Sequence, residues 1–273
     1  MKHTIQMGLL ASIVAITGCT VEDDKFTDED VARAVECSNQ NGRDICRNPL
    51  GLDTWGVATL SNGELTCRAL YCVSPFSEVP EYPGLTVWDV ENRLIPVYFL
   101  DQVDKRFNYA LDQVELAVGR TMFERHGVIN LNIDAPTDID YSRLDSGGGI
   151  IFSQATAVCN DSVCSSSNVS TAPYSDSIPR YITTDYQKIW RASGHGFVWV
   201  NLDAAEYPGS DTMVKTASEN SAIHELAHVL GMHSHFDGFS RSEAWSHNAS
   251  RVLKTMYYRG NPPGVPYFAM YIR

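Results

Sequence analysis

The chain has 273 residues, enough for one sizeable core or one domain with an appendage. Its 44% hydrophobic and 20% charged residues fit a globular protein and exclude a disordered or fibrous one. With a formal charge of −12 and a pI near 5.0, it is a poor candidate for holding nucleic acid or anionic lipid through charge, so no nucleic-acid partner is expected.

The chain begins with Lys2, an apolar run from Ile5 to Ile16, and then small residues. Residues 1–18 therefore read as a secretory signal, with an apolar run too short to span a bilayer. Its end, Ile16-Thr17-Gly18-Cys19, resembles a bacterial lipobox. That resemblance implies cleavage before Cys19 and a lipid on it; an ordinary signal with an incidental cysteine is the alternative. The expected location is the envelope of a bacterial cell, with the chain anchored through Cys19 on the periplasmic or surface side of the outer membrane, or released outside. Setting Cys19 aside leaves Cys37, Cys46, Cys67, Cys72, Cys159 and Cys164, an even number suited to disulfides in an oxidising compartment. Sequence neighbours suggest Cys37–Cys46, Cys67–Cys72 and Cys159–Cys164, among other connectivities. Residues 19–36 contain TVEDDKFTDED and read as an acidic tether. Residues 37–85 read as a Cys-rich N-terminal region, either a stapled extension or a pro-segment.

A regular pattern then sets in, and 86–273 reads as the main domain. RLIPVYFL (93–100) is a strand candidate, rich in branched and aromatic residues. In DKRFNYALDQVELAVGRTMFERHG (104–127), Phe107, Ala110, Leu111, Val114, Ala117 and Val118 follow a helical period, with Gly127 as the stop. VINLNI (128–133), GGGIIFSQATAVC (147–159) and GFVWVNLD (196–203) read as strands, and the Ser-rich stretch 160–177 as a surface loop. This order is α+β, or a mixed sheet packed on helices.

The next helix carries the chemistry. Thr216 followed by Glu219 is a capping-box pattern. Ile223, Leu226, Ala227 and Leu230 form one apolar stripe, and Gly231 fits a helix stop. His224 and His228 then lie one turn apart on one face, where two imidazoles converge on one ion. Glu225, beside the first of them, reaches a water in an open coordination position and acts as general base. An open catalytic site needs a third protein ligand. Among the remaining histidines, His126 is expected to end a helix, His195 to precede a strand and His247 to be exposed.

The stretch His224-Glu225-x-x-His228-x-x-Gly231 resembles the metzincin zinc peptidases, closest to bacterial matrixin-like proteins. The family brings a third histidine back three residues after the glycine; here that residue is Ser234, flanked by His233 and His235. His235 is the favoured ligand, matching relatives with one additional residue there, with His233 and then Asp237 behind it. The resemblance implies one catalytic Zn2+, a methionine turn at Met256, and possible zinc or oxyanion contact by Tyr258. It also implies a mixed, mostly parallel sheet packed on an active-site helix and a second long helix, here with a small disulfide-rich N-terminal extension. The implied activity is zinc-dependent endopeptidase, acting as a monomer on protein or peptide substrates. Two alternatives stand beside it. One is a non-catalytic zinc-containing lipoprotein that binds a protein or glycan, with all four zinc positions filled. The other is a thermolysin-like arrangement with Glu243 as third ligand.

Overall fold

The structure is a computed structural model. It describes residues 26–39, 57–59, 65–67, 84–129, 140–144, 148–154, 159–160, 163–164, 167–170, 196–203, 216–232, 235–241 and 243–273. The fold is mixed α+β: a mostly parallel five-stranded sheet and, among the described residues, four helices.

The first helix, α1 (Asp28–Asn39), lies where the sequence suggested a tether, so residues 28–36 are corrected to a helix that docks on the core through Val31, Ala34 and Val35. Asp28, Glu29 and Asp30 sit in the first turn, where the helix dipole favours negative charge. Thr27 and Asp30 cap each other reciprocally: Thr27 N–H donates to Asp30 Oδ2 at 2.9 Å, and Asp30 N–H to Thr27 Oγ1 at 3.2 Å. Val31, Ala34 and Val35 bury the opposite face. The acidity belongs to one end and one side of a docked helix.

Two short strands, β1 (Val57–Thr59) and β2 (Leu65–Cys67), pair antiparallel. The main sheet begins with β3 (Ile95–Leu100), all six residues of which are buried. Helix α2 (Lys105–Val118) follows, its N-terminus capped by Asp104. It ends at Gly119 (φ 79), not at Gly127 as the sequence suggested. Glu115 explains the early stop, because its Oε1 accepts from Met122 N and Phe123 N at 2.8 and 3.1 Å and turns the chain into the next strand. That strand, β4 (Phe123–Ile129), takes in the expected helix end, and His126 stacks on Tyr98 within the sheet. Only the first two residues of VINLNI, Val128 and Ile129, fall in β4; 130–133 lie outside the described residues.

Strands β5 (Gly149–Gln154), β8 (Ser167–Ser170) and β9 (Phe197–Leu202) complete the sheet. Between them, β6 (Cys159–Asn160) and β7 (Val163–Cys164) form a small hairpin whose register sets Cys159 opposite Cys164. The sheet order is β4-β3-β5-β9-β8, parallel throughout except for β8, which pairs antiparallel on β9 at the edge. β8 lies in the stretch read as a surface loop. The inner strands are near-continuous apolar runs, as expected when both faces of a parallel sheet are covered. On one face Val97, Phe99, Ile150, Phe152, Val198 and Val200 pack with residues of all four helices. On the other, Tyr98, Leu100, Ile151, Phe197 and Trp199 form a second cluster.

Helix α3 (Glu219–Val229) lies against α2, and α4 (His247–Met256) against α1 and α2. Between α3 and α4, β10 (Phe236–Asp237) and β11 (Ser240–Arg241) make a tight parallel bridge. Arg106 joins α2 to the entry of α3. Its guanidinium donates to Asp104, to both carboxylate oxygens of Asp203 at 2.7 and 2.6 Å, and to Ala217 O at 2.7 Å. No helix among the described residues is long and apolar enough to cross a membrane. The expected disulfide-rich extension is not supported: the one cysteine side chain among the described residues is that of Cys37, which lies in α1, is disulfide-bonded and belongs to the core. Cys19, Cys46 and Cys72 lie outside them, as do the side chains of Cys67, Cys159 and Cys164.

Candidate metal centre

Helix α3 is capped by Ser218, whose Oγ accepts from Ser221 N at 3.0 Å. The cap is thus two residues later than the Thr216–Glu219 pattern suggested, and Glu219 is the first helical residue. Ala222, Ile223, Leu226, Ala227 and Val229 are buried against the rest of the core.

The far end of α3 is held by three side chains from distant parts of the chain. A helix leaves its last carbonyls without intrahelical partners. Here Trp88 Nε1 donates to Val229 O at 2.9 Å, Tyr257 OH to Leu230 O at 2.9 Å, and Asn39 Nδ2 to Gly231 O at 2.9 Å. Gly231 adopts φ 106, a left-handed conformation that side chains other than hydrogen rarely take. A Cβ there would lie 2.8 Å from Asn39 Nδ2 and 2.9 Å from Thr86 O. This tight, braced turn brings the chain back over α3.

The returning residue is His235. Its Nε2 lies 3.2 Å from His224 Nε2 and 3.2 Å from His228 Nε2, and those two are 3.0 Å apart. The ring nitrogens on the other side are engaged: His224 Nδ1 faces Ala244 O at 3.1 Å, and His228 Nδ1 faces Met232 O at 2.6 Å. A carbonyl only accepts, so those Nδ1 atoms carry the hydrogens. The Nε2 atoms of His224 and His228 then face each other across 3.0 Å, an arrangement that could hold a cation between them. His228 is held in its neutral, ligand form by burial first, then by the neighbouring His224 and His235. These three histidines are a group that could hold a metal ion.

Phe239 makes the floor. Its ring is fully buried, with its centroid 4.4, 5.1 and 5.7 Å from those of His224, His228 and His235. Phe239 carries no periodic or motif signal in the sequence. Its role depends on the turn at Gly238 and the pairing of Phe236 with Phe239.

Glu225 is buried beside the imidazoles, with 8% of its surface exposed. Burial pushes its carboxyl up to about 7, opposed by a hydrogen bond from Ser167 and by His235. Ser167 Oγ donates to Glu225 Oε1 at 2.7 Å. The carboxyl thus lies buried beside the three imidazoles, with one oxygen held by Ser167.

His233 and His195 lie outside the described residues. Asp237 and Glu243 are exposed and are not part of the three-histidine group. Met256 is the fully buried last residue of α4, and the chain turns immediately after it. Its Cε lies 3.1 Å from the Cβ position of Gly231, so it packs beneath the turn that returns His235. Tyr258 packs instead on the C-terminal segment, edge-on to Tyr271 and under the Arg273 guanidinium, 4.0 Å from its centroid. His247 opens α4 and is exposed. Ser167, Trp88 and Asn39 carry no local signal in the sequence, because each acts through a long-range contact. Compared with known proteins, the chain matches no family model, no curated protein and no solved structure.

Proposed function

We propose that the chain is a zinc-dependent endopeptidase of metzincin type. The observation that carries this reading is the triangle of Nε2 atoms beside a buried carboxylate. A tetrahedral ion with nitrogen bonds of about 2.0–2.1 Å spaces its nitrogens about 3.3–3.4 Å apart. The observed edges of 3.0, 3.2 and 3.2 Å need only a few tenths of an ångström of relaxation. Three imidazoles suit zinc better than calcium or magnesium, which prefer oxygen ligands, and they leave one position open. The resemblance of His224-Glu225-x-x-His228-x-x-Gly231 to metzincins supports the same reading, as does the mostly parallel sheet lying behind α3 and α2.

Zinc, when bound, supplies Lewis acidity to the scissile carbonyl and to a water. The chain's own residues do the rest. His224, His228 and His235 hold the ion, and the carbonyls of Ala244 and Met232 fix the first two rings. Phe239 keeps water from beneath the imidazoles, which strengthens charge interactions above it. Glu225 takes the proton of the attacking water and passes it to the leaving amine. Glu225→Gln tests this: the variant should keep its zinc and lose about 10²–10⁴ in peptide hydrolysis. A variant that cleaves as fast as wild type overturns the reading.

The same proposal has the chain exported and held at the cell envelope by a lipid on Cys19. Mass spectrometry of the membrane fraction should find the acylated Cys19 as the mature N-terminus, and Cys19→Ser should move the protein to the soluble fraction.

A further inference from the structure

We infer that Ser167 is a positioning residue for Glu225, an inference that rests on the peptidase reading above. Ser167 opens the edge strand β8, and its Oγ lies 2.7 Å from Glu225 Oε1, the length of a good hydroxyl-to-carboxylate bond. The sequence of β8, Ser-Asn-Val-Ser, has weak strand preference, so something other than propensity fixes it. The backbone ladder to β9 pairs Ser167 with Leu202. A buried polar cluster reinforces it from the far face. Asn201, fully buried in β9, donates to Asn168 Oδ1 at 2.7 Å and to Ser170 Oγ at 2.9 Å, and accepts from Ser153 of β5. The two faces of β8 thus differ in what they hold. Asn168 and Ser170 lock the strand to the sheet, while Val169 packs on the main core and Ser167 reaches the carboxylate on α3.

A glutamate side chain has several rotatable bonds, and a general base works only when its oxygen is aimed. Ser167 engages Oε1 and leaves Oε2 for the reacting proton. Losing the bond should therefore lower turnover and leave substrate and metal binding unchanged, because Ser167 holds the carboxylate and is not one of the three metal-holding residues.

The test compares Ser167→Val with Ser167→Thr in the full-length protein loaded with zinc, assayed on a fluorogenic peptide. The two side chains have the same shape, and only Thr keeps the hydroxyl. The expected result is a fall in kcat of about tenfold for Val at unchanged KM and zinc content, with Thr within about twofold of wild type. Equal kcat values for the two variants, whether both normal or both reduced, overturn the inference. Glu225→Gln separates the two levels. If it is inactive and the Val and Thr variants are equal, Ser167 alone loses its role. If it matches wild type, or wild type cleaves nothing, the peptidase reading fails and the inference falls with it.

Discussion

Asn39, the last residue of α1, donates its side-chain N–H to the carbonyl of Gly231 at 2.9 Å, and so ties the N-terminal helix to the turn between the second and third imidazoles. The same amide donates to Thr86 O at 2.7 Å, and its oxygen accepts from Thr86 N at 2.7 Å and Tyr267 OH at 2.6 Å. Four hydrogen bonds converge on one buried side chain. It joins α1, the segment before β3, the centre and the C-terminal segment.

Asn39→Ala should therefore weaken both fold and metal binding. It strands partners that are largely buried, each costing about 1–3 kcal/mol. A total loss of about 3 kcal/mol is expected in urea unfolding of the metal-free protein. Metal affinity should fall about tenfold or more, because the turn that returns His235 loses its brace. Unchanged unfolding and unchanged affinity would show that α1 docks without supporting the centre.

Gly231→Ala should act at the same turn by a different route. The new methyl group meets Asn39 Nδ2 and Thr86 O at 2.8 and 2.9 Å, in a backbone conformation with φ 106. The cost of left-handed backbone alone is about 1–2 kcal/mol, and the close contacts add to it. Thermal unfolding and metal titration should both shift, whereas Gly119→Ala, with nothing within 4 Å of its Cβ, should destabilise less. Equal shifts for the two variants would remove the special role of the turn.

The Arg106 cluster predicts an acid-sensitive element of stability. Asp104 is held below the usual carboxylate range, first by hydrogen bonds from the Arg106 side chain. Its folded value is lower than its unfolded value. The stabilisation is thus complete above the ordinary carboxylate range near pH 4 and is lost as pH falls through the depressed folded value. Arg106→Met should cost about 3 kcal/mol at pH 7, since it leaves Asp104 and Asp203 facing each other in a largely buried site. The difference from wild type should shrink as pH falls below about 4 and through the depressed range of Asp104. A difference independent of pH in denaturant midpoints would contradict this.

The pair His224 and His228 was legible because helix periodicity fixes what lies one turn apart, and the stripe from Ile223 to Leu230 fixed the helix. His235 was legible only through the resemblance to relatives with one additional residue after the glycine, since the turn at Gly231 by itself left His233 and Asp237 open. Where sequence and structure part, a specific side-chain or ladder contact often decides. Gly119 and Gly127 are both possible stops for α2, and the Glu115 side chain bonded to Met122 and Phe123 selects the first. The acidic run before Val31 hid an amphipathic helix, because its charges cluster at the N-terminal turn. Ser167–Ser170 has no strand signature, and β8 exists because Asn201 and the β9 backbone hold it. Asn39 lies 192 residues from Gly231 in sequence, and no local pattern links them.

In the proposed centre, His224, His228 and His235 together hold one zinc ion. The most direct measurement is zinc per chain by elemental analysis of the purified protein, wild type against His235→Ala, with Glu243→Gln as control. About one zinc in the wild type and in Glu243→Gln, and loss of most of it in His235→Ala, is the predicted result. Full zinc in His235→Ala would contradict the account, and with it the turn at Gly231 as the device that completes the centre.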